Sequence, residues 1–223
     1  MLNKFIPEKR DFNEKFIRIL KDSYYLFLRG SHASPYRKGS VDFIFIHINK
    51  TAGTSLYRTL GIPWKRHLTS QEVIDIVGQE KWQKAFKFAF VRNPWDKVVS
   101  QYKYRIKTNQ NRMKENEIDF NNWVIKAYKE KDLRYFDLPK LFAPQAEWLK
   151  NNEGKIDMDF IGRFENLHND FEKVSKELKL QKELPHLNKT NHKPYQDYYN
   201  KDSINIIENH YKEDIEMFGY KFE

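Results

Sequence analysis

Two stretches carry side chains able to grip an anion: Lys50-Thr-Ala-Gly-Thr-Ser55, and Arg92 with Ser100 eight residues after it. In the first, Lys50 supplies a point charge and Gly53 lets backbone N–H groups come close to a bound oxygen. Thr51 and Ala52 complete the turn, while Thr54 and Ser55 add hydroxyl donors where a helix begins and its dipole favours negative charge. In the second, Arg92 leaves a strand end and Ser100 follows roughly 9–10 Å farther along a helix axis, at about 1.5 Å per residue.

Positioning these residues takes two buried strands and two helix starts. Phe43, Ile44, Phe45, Ile46 and Ile48 show little polar alternation, which suits a strand covered on both faces of a parallel sheet. Phe86–Val91 reads as a second such strand, and Asn93 as N-cap with Pro94 at the first helical position starts the helix after it. Each strand thus delivers a cation and a helix N-terminus, at the sheet edge where open parallel sheets bind ligands. The expected fold class is α/β, a P-loop-like central parallel sheet flanked by helices. A Walker A loop would have Gly before the Lys and another five residues earlier, where this chain has Asn49 and Ile44. A kinase or NTPase is therefore disfavoured, though it stays among the alternatives.

At 223 residues with 39% hydrophobic and 16% aromatic content, the chain has ample material for a core despite 32% charged residues. The absence of Cys removes disulfides and Cys-based metal sites. No apolar run is long enough for a transmembrane segment and no signal-peptide core develops, so a cytoplasmic location is expected. The net charge is +9. Residues 1–40 hold nine Lys/Arg against four Asp/Glu, and residues 92–114 hold seven against one. Such zones imply anionic partners. A basic polyanion- or nucleic-acid-binding module is a further alternative, but no RNP or zinc-finger signature accompanies the charge, and no nucleic-acid partner is expected.

Four segments in order resemble the sulfotransferases that use 3′-phosphoadenosine 5′-phosphosulfate, in particular the carbohydrate branch with the heparan sulfate 2-O-sulfotransferases and their bacterial relatives. They are Ile48-Asn-Lys-Thr-Ala-Gly-Thr-Ser55, Phe90-Val-Arg-Asn-Pro-Trp-Asp-Lys-Val-Val-Ser-Gln-Tyr102, Ile161-Gly-Arg-Phe-Glu-Asn-Leu167 and Leu184-Pro-His-Leu-Asn-Lys-Thr-Asn-His-Lys-Pro-Tyr195. The resemblance implies Lys50 on the bridging oxygen of the phosphosulfate and Thr51, Ala52, Gly53, Thr54 and Ser55 around the 5′-phosphate. It puts Arg92 and Ser100 on the 3′-phosphate. Asn49 departs from the Pro common in relatives. The implied reaction is in-line displacement at sulfur by an acceptor hydroxyl, leaving adenosine 3′,5′-bisphosphate. The transferred sulfonate carries less charge than a phosphoryl group, so no metal is expected. The implied partner is a carbohydrate or glycolipid acceptor, with an acidic glycan suited to the basic zone.

The reaction needs a base, and His67 is the choice among seven histidines. A reference pKa of about 6.5 leaves it ready near neutrality. It stands between the two anion motifs and before a capped helix, and Arg66-His-Leu-Thr69 resembles the family segment that carries the base. His47, inside a strand, reads as a core residue. Gln145 falls in a Pro-Gln pattern shared with the family and is expected to touch substrate. Lys193 is expected to add charge against the 3′-phosphate and Tyr195 a stacking face, in a flap over residues 188–199.

The remaining expectations are a helical arm and linker over 1–40 ahead of a sulfotransferase domain over 41–223, a strand over Met158–Gly162, and helices over 116–131, 141–149, Glu165–Leu178 and Ile204–Phe218.

Overall fold

A computed structural model describes residues 42–62, 67–180, 182–184 and 193–223. The arm over 1–40, Arg66, His186, His192 and residues 188–192 of the flap lie outside the described residues.

Among the described residues the sheet has three strands, β1 (Phe43–Ile46), β2 (Phe86–Val91) and β3 (Phe160–Arg163), in spatial order β1-β2-β3. Both pairings are parallel, with Phe45 opposite Phe88 and Val91 opposite Arg163. Side chains alternate across it. Ile44, Ile46, Ala89 and Val91 pack with Trp82, Trp148 and Leu149 on one face. Phe43, Phe45, Phe88 and Phe90 pack on the other with Leu56, Tyr57, Phe171 and Val174. The expected α/β fold is therefore present, its strands covered on both faces.

The chain leaves β1 through residues 47–52 into α1 (Gly53–Leu60). Next come α2 (Ser70–Val77), opened by a Thr69–Glu72 capping box, and α3 (Gln79–Lys84). β2 leads straight to α4 (Pro94–Lys107), where the Asn93 side chain accepts from the Trp95 and Asp96 amides. Beyond lie α5 (Phe120–Val124), α6 (Gln145–Leu149), α7 (Leu167–Glu177), α8 (Lys201–His210) and α9 (Lys212–Phe218). A third apolar cluster, around Trp95, Trp123, Phe142 and Tyr211, joins α4 to α5 and the C-terminal helices.

Three long helical readings break up. The stretch 116–131 is α5 continued by a π turn, Ile125–Lys129. The stretch 141–149 is a 3₁₀ turn, Pro139–Phe142, separated from α6 because Ala143 and Pro144 are extended; a residue before proline is driven out of the helical region. The C-terminal helix divides at Tyr211, whose buried ring and hydroxyl are fixed by the core.

Candidate active site

Because the sheet is parallel, the C-terminal ends of its strands share one edge, and the two predicted cations meet there. Arg92 donates from Nη1 to the Lys50 carbonyl at 3.0 Å. Its Nε pairs with Asp96 at 2.8 Å, and its guanidinium stacks 3.9 Å from the centre of the Phe164 ring. Lys50 Nζ lies 4.2 Å above the Tyr104 ring. Burial, then the charges of Arg92 and Lys107, push the Lys50 ammonium down to about 8.

The loop between β1 and α1 is shaped by unusual backbone. Lys50 and Ala52 both have positive φ, 68° and 63°. Left-handed residues in such a turn can help gather backbone N–H groups into a concavity that suits an anion. No side chain caps the N-terminus of α1, although the Ser55 and Leu56 amides are taken by the Ala52 carbonyl. Thr51 is buried, and its hydroxyl donates to the Ile48 carbonyl at 2.9 Å, so it holds the turn from inside. Ser55 is buried while Thr54 is exposed.

Gly53 has a reason that its sequence context does not reveal. A Cβ there would stand 1.7 Å from Nε2 of His47, which runs directly beneath the loop. His47 is a core residue as read, stacked with Phe45 at 5.8 Å and edge-on to Tyr57 at 5.0 Å.

His67 reaches the same place from the start of α2. Its ring centre is 4.2 Å from that of His47, and its Nδ1 is 3.2 Å from the His47 carbonyl. A carbonyl only accepts, so in neutral His67 the proton belongs on Nδ1 and the lone pair on Nε2. Loss of water around the ring pushes its pKa below the ordinary value; the hydrogen bond with His47 opposes this, and the charges of Lys140, Lys50 and Lys97 add to it. Much of the residue is nonetheless exposed, so a proton can enter and leave.

Ser100 is half-buried on α4, one turn beyond Asp96 and one turn before Tyr104. Residues four apart share a helix face, so Ser100 lies between the partner of Arg92 and the partner of Lys50. Tyr195 opens a short 3₁₀ turn, its hydroxyl accepting from Asn93 Nδ2 at 3.3 Å and donating to the Glu223 carbonyl at 2.9 Å. That sets it beside the N-cap of α4, next to Arg92, with its ring edge-on to Phe222. Lys193 is exposed. Arg163, at the end of β3, donates to the Phe218 carbonyl and covers the Tyr220 ring, which ties it to the C-terminal tail.

Gln145 is corrected by its surroundings. It is fully buried, accepts from the Arg92 amide at 2.9 Å and donates to the Arg92 carbonyl at 2.8 Å. With both amide ends committed it braces the end of β2 and offers nothing to a substrate. Asp214, also fully buried, accepts from the Gln145 and Ala146 amides at 2.7 and 2.8 Å and caps α6. Lys97 is a second residue the motifs passed over. It is fully buried on α4, its amine 3.4 Å from the Tyr211 hydroxyl, and burial pushes it down to about 8 against the opposing pull of Asp214. Its signal was faint: Lys97, Gln101 and Arg105 recur every four residues, which reads equally well as a solvated stripe.

Two adjacent strands of a parallel α/β sheet thus end, at one edge, in a lysine loop and an arginine-led helix that touch each other. The chain belongs to the sulfotransferase family: the model described as Sulfotransferase family matches residues 37–221. Its chemistry is therefore sulfuryl transfer. An uncharacterized protein of Archaeoglobus fulgidus is 35% identical over 109 residues, covering 48% of this chain and 79% of that protein. No solved structure matches. Among the described residues, no helix is long and apolar enough to cross a membrane.

Proposed function

We propose that the protein transfers a sulfuryl group from 3′-phosphoadenosine 5′-phosphosulfate to a hydroxyl of a carbohydrate or glycolipid acceptor, as the carbohydrate branch of the family does. The observation that carries this reading is the 3.0 Å contact between the Arg92 guanidinium and the Lys50 backbone at one sheet edge. Among the described residues no carboxylate pairs with Lys50, and Arg92 and Lys107 repel its charge. That uncompensated positive potential fits a ligand with phosphate at both ends.

In this reading the donor supplies an electrophilic sulfur and a phosphate leaving group. The residues 51–55 hold the 5′-phosphate and Arg92 with Ser100 the 3′-phosphate, while Lys193 adds charge against the latter and Tyr195 offers a face for stacking. Nε2 of His67 takes the proton of the acceptor hydroxyl as its oxygen bonds to sulfur. Lys50 stabilises the electron pair that the broken S–O bond leaves on the phosphate, the kind of charge neutralisation that dominates such transfers. The acidic character proposed for the acceptor matches Lys103, Lys107, Arg112 and Lys114 of the basic run 92–114, since Lys97 and Arg105 of that run are buried.

Calorimetric titration with adenosine 3′,5′-bisphosphate, with ATP plus Mg²⁺ and with an oligonucleotide separates this reading from its rivals. Tight binding of the bisphosphate alone is expected. A mass-shift assay against saccharides and glycolipids then identifies the acceptor, and His67→Ala should keep nucleotide affinity while losing turnover. Preference for Mg-ATP, or undiminished turnover in His67→Ala, overturns the donor or the base respectively.

A further inference from the structure

The residues proposed to act come from three places far apart in the chain, and one short segment touches all of them. Lys140 Nζ donates to the His67 carbonyl at 2.7 Å and pairs with the Glu72 carboxylate. The same Glu72 carboxylate accepts from the Thr69 amide at 2.9 Å, so the start of α2 and Lys140 form one clamp around His67. The Leu141 carbonyl accepts from Asn49 Nδ2 at 3.0 Å, immediately before Lys50. The two hydrogen bonds between Gln145 and the Arg92 backbone complete the set.

The segment is itself anchored from behind. The Phe142 carbonyl accepts from the Tyr211 hydroxyl at 3.0 Å and meets His210 Nε2 at 2.8 Å. Asp214 holds the Gln145 and Ala146 amides.

We infer that residues 139–146 form a positioning strut that keeps His67 in register with the anion loop and Arg92, and that Lys140 is the residue that fixes His67. The catalytic meaning rests on His67 being the base, as proposed above; the positional claim does not. A shift of about 1 Å in a reacting group can cost on the order of 100-fold in rate, so such a strut matters as much as the groups it holds.

The charged and titratable groups that bear on His67 are Lys140 on the 139–142 turn, Lys50 on the loop, Lys97 on α4, Glu72 on α2 and His47 beneath. Lys140 is the first of the cations that depress its pKa. Removing that ammonium also leaves Glu72 uncompensated, and both changes favour imidazolium. Removing the Glu72 charge instead leaves Lys140 unopposed and acts in the reverse direction.

The test is an NMR titration of the His67 ring, assigned with His67→Gln, in the wild type, Lys140→Met, Lys140→Arg and Glu72→Gln, with melting temperatures alongside. The wild-type midpoint is expected below 6.5. Lys140→Met should raise it, Glu72→Gln should lower it, and Lys140→Arg should restore the wild-type value. Turnover should fall about tenfold or more in Lys140→Met while the Kd for adenosine 3′,5′-bisphosphate changes by less than about threefold. If Lys140→Met and Glu72→Gln lower the melting temperature but leave the His67 midpoint where it was, the pair is only a stabilising ion bridge and the inference is wrong. Midpoints moving in opposite directions support it even if His67→Ala stays active, in which case only the assignment of the base fails.

Discussion

At the scale of single residues, the site is a place where positive charge is kept under strain. Lys50 falls to about 8 because burial and the neighbouring Arg92 and Lys107 disfavour its charged form. A bound phosphate reverses that pressure. Below about pH 8 Lys50 enters the complex already charged, and above it binding must first take up a proton. Affinity for adenosine 3′,5′-bisphosphate should therefore weaken as pH rises through 8, by roughly 10- to 100-fold if a charge-assisted hydrogen bond is worth about 1.5–3 kcal/mol. Calorimetry at pH 8 in two buffers of different ionisation heat should register the proton uptake; constant affinity from pH 7 to 9 would remove Lys50 from the phosphate. Lys97 makes a second prediction, on stability. Its folded value of about 8 lies below the ordinary 10.5, so the unfolded chain binds more protons between those limits. Stability should rise with pH across that window, by up to about 3 kcal/mol from this group. Above pH 10 the buried tyrosines Tyr128 and Tyr211, whose hydroxyls are pushed up by burial, turn the trend around. Lys97→Met should remove this group's share of the rise between pH 8 and 10 and leave the share of Lys50, which is also pushed down to about 8, as urea denaturation at several pH values can read.

Elements convert those residues into geometry, and here two substitutions discriminate. Gly53→Ala drives a methyl into the His47 ring, since the ideal Cβ position is 1.7 Å from Nε2. Either His47 or the loop must move, so a loss of about 1–3 kcal/mol in stability, as for overpacking, should come with lost bisphosphate affinity. A variant that binds normally would show that the loop does not need its observed shape. Gln145→Ala strips the Arg92 amide and carbonyl of their partners. Two buried polar groups left unsatisfied cost about 2–6 kcal/mol together, and the end of β2 should loosen. Local signals announced the elements well where they were strong. Asn93-Pro94 fixed the start of α4, and the apolar strands gave β1 and β2 almost to the residue. They failed where tertiary packing overrides a period: apolar spacing cannot distinguish a π turn at Ile125–Lys129 from an α-helix, nor show that Tyr211 splits α8 from α9.

For the molecule as a whole, a parallel sheet makes part of the site readable and leaves the rest hidden. Once two strands are known to be parallel, Lys50 and Arg92 must share an edge, and no further information is required. Lys140 meets His67 across 73 residues and Asp214 meets Gln145 across 69, and neither contact leaves a mark on the local sequence. The catalytic unit begins late in the chain, since the family match starts at residue 37 and β1 at Phe43. Residues 1–36 should then be dispensable for folding and for the donor site, while their excess of Lys and Arg adds long-range attraction for an acidic acceptor. A fragment of residues 37–223 should unfold cooperatively and bind adenosine 3′,5′-bisphosphate within about threefold of the full chain. Its melting temperature should rise with ligand as for the full chain, since 100 times the Kd adds about 2.7 kcal/mol to any domain that binds only when folded. Electrostatic steering weakens steeply with ionic strength, so any difference in kcat/KM toward an acidic acceptor should be largest at low salt and shrink by about 0.15 M. A fragment that fails to fold, or binds the bisphosphate more than about tenfold weaker in both low and high salt, would make the leading residues part of the domain.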